Sequence, residues 1–312
     1  MEWGIIHGVS WVAVDWGTSN LRIWLMSQES QVIAQNTSNQ GMASLGSADE
    51  FEQVLFECLQ PILTYGEILP VICCGMVGAK QGWHDVGYST VPHNPLEYQT
   101  PIPVPTKHSQ LWVWVLPGLC QLHPADVMRG EETQIAGVLS HQKDFSGVVC
   151  LPGTHSKWAL CGVGQVLSFS TFMTGELFAL LSQQSVLRHS VSHDHWYEDE
   201  FIQGVHDALN NPAQFTNELF CIRARDILGD GAVGFGKARL SGLLIGMELA
   251  GTCELWQGQK VMLLGDSALQ LLYKLAMDQV KVDVVLVNAT QMTLAGLTAA
   301  YEKTRIKSCQ ET

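Results

Sequence analysis

Positively charged residues are scarce in this chain: 17 lysines and arginines stand against 30 acidic residues, and the formal net charge is −13. This balance disfavours nucleic acids and anionic membranes as partners. Charged residues of either sign make up only 15% of the chain and hydrophobic residues 46%, which is typical of a well-packed enzyme and not of a disordered chain. An anionic small molecule is still compatible, because a few cations such as Arg22, Arg129 and Lys157 can reverse the field inside one pocket.

Long hydrophobic runs are also absent. The most apolar segment, residues 240–249, contains Glu248 and is too short to span a bilayer. The first residues have neither the basic segment nor the apolar core of a signal peptide, so no secretion signal is expected. The nine cysteines include no CxxC pair, and we expect reduced, largely buried thiols in a cytoplasmic protein instead of a disulfide framework.

A chain of 312 residues exceeds the usual size of a single hydrophobic core, so we expect two domains with a ligand-binding cleft between them. Strand and helix periodicities alternate in both halves, which predicts a mixed α/β protein. The expected domains comprise residues 1–130 and 131–312. A last helix, at about residues 292–303, is allowed to pack back on the first domain.

Two segments share one plan of apolar strand, glycine-containing turn and second strand. They span residues 12–25 and 148–158. A glycine lets the backbone approach a ligand closely, and hydroxyl and amide groups at the turn suit phosphate oxygens. Asp15, at the first strand end, is placed to hold a hydrated Mg²⁺. Ordinary hairpins with turn-forming residues are the alternative interpretation, but the repetition favours a duplicated architecture with two phosphate-binding turns.

Six segments, in chain order, carry a resemblance to a known family. They are the hairpin at Asp15 and residues 75–78, 127–134, 151–158, 173–177 and 240–246. Together they resemble the 2-dehydro-3-deoxygalactonokinase family of the hexokinase, Hsp70 and actin superfamily. The resemblance implies two ribonuclease H-like domains with mixed sheets flanked by helices, the first holding a sugar acid and the second a nucleotide, with the active-site cleft between them.

The resemblance also implies the reaction. ATP, with Mg²⁺, would phosphorylate the C6 hydroxyl of 2-dehydro-3-deoxy-D-galactonate, giving 2-dehydro-3-deoxy-6-phospho-D-galactonate and ADP in D-galactonate catabolism. Asp15 would bind the metal, largely through water. The residues implied in nucleotide binding are Gly17, Thr18, Ser19 and Asn20 in the first turn, Gly153, Thr154, His155, Ser156 and Lys157 around the second, and Gly265 and Ser267 at the adenosine.

Two alternatives remain open for that nucleotide site. His155 is as well explained as a structural histidine as by phosphate contact. The segment after Gly265 also fits a plain turn and helix cap. The second turn departs from the wider superfamily, since Leu151 and Pro152 stand where an aspartate commonly precedes the glycines. Asp15 is therefore expected to be the main protein ligand of the metal.

A carboxylate at the start of a helix can orient the attacking hydroxyl and accept its proton. Glu131 and Glu132 open such a helix. In the hexokinase-like enzymes that the chain resembles, an acidic residue followed by threonine occupies this place, so the resemblance makes Glu132, which precedes Thr133, our first choice as the catalytic base. The alternative is that both acids only complement the positive end of the helix dipole.

The substrate's carboxylate calls for an arginine, and Arg129 lies next to the expected base. A structural ion pair is an equally good explanation of Arg129. Glu176 is a candidate for binding substrate hydroxyls, with a helix-start acid as the alternative. Gly41, Met42 and Trp83 are candidates for lining the sugar pocket, with turn glycines and a core tryptophan as the alternatives.

The rival functions are a kinase of another 2-keto-3-deoxy sugar acid, a phosphohydrolase of the same superfamily, and an ATP-driven binding protein. A hydrolase releases phosphate without any sugar acid, and a binding protein keeps its function when Glu132 is changed. The sequence leaves the oligomeric state open, with a homodimer as one option.

Overall fold

The computed structural model describes residues 3, 6–63, 66–97, 100–192, 194–265 and 267–308, without the side chains of residues 267 and 305–308. The chain divides into two compact units. The first comprises Met1–Phe145, Gly162–Ser168 and Ala289–Thr312, and the second comprises Ser146–Cys161 and Phe169–Asn288.

Strands and helices alternate along the chain, as the periodicity predicts. The strands are β1 (Trp11–Trp16), β2 (Leu21–Met26), β3 (Val32–Ser38), β4 (Leu69–Gly75), β5 (Tyr88–Thr90), β6 (Ile102–Val104), β7 (Leu111–Val115), β8 (Gly118–Leu122), β9 (Ala125–Met128), β10 (Gly147–Leu151), β11 (Ser156–Gly162), β12 (Gln165–Phe172), β13 (Lys260–Gly265) and β14 (Asp283–Asn288). The helices are α1 (Ala48–Leu59), α2 (Glu131–His141), α3 (Thr174–Gln183), α4 (Glu198–Asn210), α5 (Phe215–Leu228), α6 (Gly236–Gly251), α7 (Cys253–Trp256), α8 (Ser267–Gln279) and α9 (Ala289–Ser308).

The first unit is built on a six-stranded sheet in the order β3-β2-β1-β4-β7-β6. Strand β1 is buried on both faces because successive side chains of a strand point to opposite sides. Val12 joins a core that includes Phe51 of α1. Trp11 joins a second core with Leu297 of α9, and its indole stacks on Tyr301 with ring centroids 4.3 Å apart. Helices therefore cover the two faces of this sheet.

The second unit repeats this topology in a sheet of order β12-β11-β10-β13-β14. In each sheet the first strand pairs antiparallel with the second and parallel with the fourth: β1 with β2 and β4, and β10 with β11 and β13. The remaining strand of the common core, β7 or β14, runs parallel to that fourth strand. Both units thus have the ribonuclease H-like topology, which confirms the predicted fold class.

Helix α2 lies in the first unit, whereas the expected boundary at residue 130 assigned it to the second domain. Two glycines explain this packing, because they bring α2 and α9 into backbone contact. A Cβ atom at Gly137 would lie 2.0 Å from the carbonyl oxygen of Met292, and one at Gly296 would lie 2.1 Å from that of Thr133. Helix α9, which includes the predicted last helix, lies in the first unit with α2.

The apolar segment at residues 240–249 forms most of helix α6, which packs closely on α4. A Cβ atom at Gly242 would lie 2.1 Å from the carbonyl oxygen of Phe201, so glycine is needed at this crossing. In the described part of the chain, no helix is both long and apolar enough to cross a membrane.

Strands β8 and β9 are absent from the sequence prediction. They form a three-stranded sheet with β5, in the order β5-β8-β9. Both strands are short, and a turn containing Pro124 separates them, so no sustained alternation of apolar residues marks them in the sequence. This small sheet leads directly into Arg129 and the start of α2.

Candidate active site

The first glycine-containing turn joins β1 to β2, and its Thr18, Ser19 and Asn20 are exposed. It is closed by a hydrogen bond of 2.9 Å from the backbone N–H of Gly17 to the carbonyl of Asn20. The segment after β3 packs against this turn. A Cβ atom at Gly41 would lie 2.3 Å from the carbonyl carbon of Ser19, so only glycine fits there.

Backbone bonds fix that support. The N–H of Met42 donates to the carbonyl of Gly17 at 3.0 Å, and the N–H of Ala43 donates to that of Thr18 at 2.9 Å. Gly41 and Met42, which the sequence suggests for the sugar pocket, therefore touch the first turn directly. Trp83 is buried in the core, and its ring lies edge-on to that of Trp16 with centroids 6.4 Å apart. This placement agrees with the alternative that Trp83 is a core tryptophan.

Asp15 ends β1 beside this turn and is 8% exposed. Its carboxylate forms an ion pair with Arg22, the residue opposite on β2. Burial raises the pKa of Asp15, and the charge of Arg22 opposes that rise. Gly75, with φ +90°, leaves space next to this carboxylate, since a Cβ atom there would lie 3.3 Å from Oδ1 of Asp15.

That arrangement fits Mg²⁺, which usually takes one or two protein carboxylates and completes its shell with phosphates and water. Asp15 supplies the carboxylate, and Gly75 keeps the space beside it free of a side chain. Within the described residues no cluster of three or more His, Cys, Asp or Glu side chains forms a metal cage. A metal held by Asp15 would complete its shell with phosphate oxygens or water.

The start of α2 brings both candidate bases into the first unit. Oε2 of Glu131 accepts the backbone N–H of Arg129 at 3.1 Å. Glu132 is 0% exposed and accepts the N–H of Gly130 at 2.6 Å and the hydroxyl of Thr133 at 3.0 Å. Burial, and next the nearby Glu131, raise the pKa of Glu132 to about 8. With this pKa, Glu132 gains and loses its proton close to neutral pH.

Arg129 is buried at the end of β9. One guanidinium nitrogen donates to the carbonyl of Gly87 at 2.8 Å, and the guanidinium lies over the ring of Tyr88, 4.3 Å from its centroid. Its Nε and Nη1 are buried without a hydrogen-bond partner in the described part of the chain. A Cβ atom at Gly78 would lie 2.9 Å from Nη1, so this glycine makes room for the guanidinium.

Buried donors without partners are costly, and an anionic ligand is one way to satisfy them. The unpaired Nε and Nη1 are compatible with substrate binding by Arg129, which stays a prediction.

The second turn joins β10 to β11, and its Thr154 and His155 are exposed. The first turn of α3 packs against it: a Cβ atom at Gly175 would lie 2.4 Å from the carbonyl oxygen of Gly153. The N–H of Glu176 donates to the carbonyl of Thr154 at 3.0 Å, and Oε2 of Glu176 lies 2.5 Å from Nε2 of His155. Glu176 therefore belongs to the second turn, in the unit that does not contain Arg129.

The sequence places Ser156 and Lys157 on the nucleotide, but both side chains are buried in the structure. The hydroxyl of Ser156 lies 2.9 Å from that of Tyr273, inside the second unit. Of the five residues predicted around the second turn, Gly153, Thr154 and His155 remain accessible. Strand β11 explains this outcome, since successive side chains point to opposite faces of a sheet and both faces are covered at its first four residues, Ser156–Ala159.

A cavity of about 250 Å³ opens beside the second turn, within the second unit. The sequence alone did not reveal it, because its walls come from separate segments. Residues from α3, α6 and α8, together with Gly153 and Trp196, form an apolar wall with few polar groups. The lining residues are Gly153, Thr174, Gly175, Phe178, Trp196, Lys237, Ser241, Leu244, Ile245, Leu269, Leu272 and Tyr273.

Gly265, which the sequence places at the adenosine, ends β13 against the second turn. A Cβ atom there would lie 3.7 Å from Pro152. Ser267 begins α8, the helix that contributes Leu269 and Leu272 to the cavity. The side chain of Ser267 lies outside the described residues, so its predicted contact stays a prediction.

Two ribonuclease H-like units, each with an exposed glycine-threonine turn between its first two strands, define a protein of the hexokinase, Hsp70 and actin class. Comparison with known proteins gives the family within that class. The sequence profile of the 2-keto-3-deoxy-galactonokinase family matches residues 15–300. The chain belongs to this family and is therefore a sugar-acid kinase.

Individual relatives agree with this assignment. A protein of Rhizobium meliloti (strain 1021), named "Probable 2-dehydro-3-deoxygalactonokinase", is 38% identical over 300 residues, which cover 93% of this chain and 96% of the relative. The 2-dehydro-3-deoxygalactonokinase of Escherichia coli (strain K12) is 34% identical over 242 residues, covering 77% and 79%. A crystal structure from Sinorhizobium meliloti, assigned to the same activity, is 37% identical with a TM-score of 0.87, covering 94% of this chain and 99% of that one.

Proposed function

We propose that this kinase transfers the γ-phosphoryl group of ATP to the C6 hydroxyl of 2-dehydro-3-deoxy-D-galactonate, in the breakdown of D-galactonate. The products are the 6-phosphate of this sugar acid and ADP. The names of the two relatives support the substrate. The observation that carries the proposal is the family match over residues 15–300. Arg129 supports it, because its buried Nε and Nη1 have no hydrogen-bond partner among the described residues and a substrate carboxylate is a ligand that suits a guanidinium. The free state of the described cysteines supports a cytoplasmic location.

Phosphoryl transfer depends mainly on positioning and on stabilising charge. We assign phosphate binding to the exposed donors of each turn, Thr18 and Ser19 in the first and Thr154 in the second. Asp15 would hold Mg²⁺ in the space beside Gly75. When bound, the metal neutralises charge on the phosphates and orients them.

Glu132 is our choice for the base that orients the attacking hydroxyl and accepts its proton. Its pKa of about 8 supports this role, because a general base works best when its pKa lies near the working pH. Glu131 has the same charge and lies one residue away, yet it is partly exposed and capped by the N–H of Arg129. It is therefore the natural control for Glu132.

The cavity of the second unit is our candidate for the adenosine of ATP. Its volume of about 250 Å³ and its apolar wall suit a nucleobase and ribose, and it adjoins the second turn at Gly153. A base in this cavity would lie between α6 and α8. The start of α8, at the predicted adenosine site, contributes to the same wall.

An ADP-release assay with purified protein, Mg²⁺ and ATP tests the function across a panel of sugar acids. We expect release to depend on 2-dehydro-3-deoxy-D-galactonate and to be weaker with its gluco isomer. Equal rates with and without every acid would instead indicate a phosphohydrolase. A clear preference for another 2-keto-3-deoxy acid would transfer the assignment to that substrate.

The role of Arg129 has its own test. Replacing it with lysine keeps the charge but removes the planar fork, so the KM for the sugar acid should rise about tenfold or more while the KM for ATP stays unchanged. An equal rise in both constants would remove Arg129 from substrate recognition.

A further inference from the structure

A buried acid in the second unit takes no part in the chemistry proposed above. Glu248 lies on α6 and is 1% exposed. Its Oε1 accepts the indole N–H of Trp158 at 2.6 Å, and its Oε2 accepts the hydroxyl of Tyr273 at 2.7 Å and that of Thr174. Burial raises the pKa of this carboxyl, and these hydrogen bonds oppose the rise. All three donors come from different elements of the unit.

These donors surround the second turn. Trp158 lies on β11, two residues after Ser156, the first residue beyond the turn. Tyr273 lies on α8, and its hydroxyl is also within 2.9 Å of that of Ser156. Thr174 is the first residue of α3 and directly precedes Gly175, whose backbone touches Gly153. Glu248 is therefore connected to the strand that leaves the turn and to the helix that supports it.

We infer that Glu248 is a positioning residue for ATP binding, which holds Ser156 and Thr174 so that the turn between them presents its donors to the phosphates. This inference rests on the proposed binding of ATP phosphates at the second turn. Glu248 itself does not line the cavity or reach the exposed part of the turn. It acts only through its three hydrogen-bonded neighbours.

The chemistry of the site supports a positioning role. A buried ion is weak evidence for stability, because apolar residues of similar volume often serve as well or better. A carboxylate that accepts three hydrogen bonds does, however, fix the relative positions of its donors. Here those donors lie on the strand that leaves the turn, on α8, whose Tyr273 contacts Ser156, and on α3, which packs against the turn.

The first test is Glu248→Gln, which keeps the size of the side chain but replaces one acceptor oxygen with an NH₂ donor. We expect the Kd for ATP to rise about tenfold, the loss of one hydrogen bond to a charged group. The Kd for adenosine should rise less, although Thr174 and Tyr273 also line the proposed adenosine cavity. The measurement is calorimetric binding of ATP and of adenosine to the full chain. A residue with only a structural role would change the stability but not the ratio of these two constants.

A matched pair of variants covers the case in which Glu248→Gln does not fold. Thr174→Val removes the hydroxyl that connects Glu248 to α3. Thr252→Val removes another buried threonine hydroxyl. This hydroxyl donates at 2.9 Å to the main-chain carbonyl of Glu248, so its hydrogen bond lies at the end of α6 and not at the turn. We expect the ratio of the ATP and adenosine constants to rise in Thr174→Val and to keep its wild-type value in Thr252→Val.

The outcomes separate this inference from the proposed function. Unchanged ratios in both Glu248→Gln and Thr174→Val, with ATP still bound by the wild type, would overturn the positioning role and leave the kinase assignment intact. A rise in Thr252→Val equal to that in Thr174→Val would also overturn it, because general loosening of the core would then explain both. Failure of the wild type to bind ATP would overturn the proposed nucleotide site, and this inference with it.

Discussion

The two glycine-threonine turns of this protein occupy corresponding places in the two units, and each is supported in the same way. After the third strand of each unit, a glycine lies against the turn: Gly41 approaches Ser19 to 2.3 Å, and Gly175 approaches Gly153 to 2.4 Å, as measured from an added Cβ atom. Backbone N–H groups of the same segments donate to Thr18 and Thr154. The duplication thus includes the support of the turns as well as the strand order.

The charges around the two turns differ. The first turn follows Asp15, which is paired with Arg22, whereas the position before the second is occupied by Leu151. The second unit has its acids elsewhere: Glu176 lies at the surface against His155, and Glu248 lies in the interior. The same packing therefore surrounds the two turns with different charges. Under the proposed function, the first turn would bind the metal and the second would bind the nucleotide.

Asp15→Asn tests this difference with the largest expected effect. The substitution removes the negative charge of Asp15, which has no counterpart at the second turn. Turnover should fall roughly a thousandfold if Asp15 is the main metal ligand. Adenosine binding should be unchanged, because the proposed cavity lies in the other unit. Steady-state kinetics over a Mg²⁺ titration checks this result. Turnover close to that of the wild type would mean that the metal is held without Asp15.

Glu132→Gln should have the next largest effect. Removing a general base typically lowers turnover about a hundredfold or more, and ATP binding should change little. Glu131→Gln is the matched control, since the two acids share charge and helix position, and we expect it to lose only a few-fold. Single-turnover kinetics of both variants decides the assignment. A greater loss in Glu131→Gln would make Glu131 the base.

The common support of the turns can be broken by alanine at either glycine. Gly41→Ala and Gly175→Ala each place a methyl group into backbone, so each turn must shift and the KM for ATP should rise about tenfold. Gly46→Ala is the control, because its nearest neighbour is a carboxylate oxygen of Glu50 at an ordinary 3.7 Å. A rise in only one of the two variants would show that the turns are unequal in binding phosphate.

The sequence predicts the parts of this comparison that depend on local pattern. The strands around both turns follow from their apolar residues, and α2 begins at Glu131, as predicted. The orientation of Ser156 could not be predicted, because it depends on Tyr273, far along the chain. The cavity is likewise assembled from distant segments. For Glu248 the sequence offers one indication, because it is a single acid inside an apolar segment. A buried acid needs hydrogen-bond partners, and those partners are known only from the fold.

The smallest expected effect concerns pH and the first unit. Because the pKa of Glu132 is raised from 4.5 to about 8 in the folded chain, the folded state holds this proton more tightly than the unfolded state. The stabilisation is therefore complete below about pH 4.5 and is lost as the pH rises through 8. Asp15 has a raised pKa too, so both acids act in the same direction.

Glu132→Gln isolates the contribution of Glu132 to this pH-dependent stability, since the amide does not titrate. We expect the free energy of unfolding of the wild type to fall more steeply between pH 5 and 9 than that of Glu132→Gln. Glu131→Gln should give an intermediate slope, because Glu131 contributes less than burial to the raised pKa of Glu132. Denaturant unfolding at a series of pH values measures the three slopes. Equal slopes in wild type and Glu132→Gln would mean that Glu132 titrates near its ordinary pKa, and its advantage over Glu131 as a base at neutral pH would disappear.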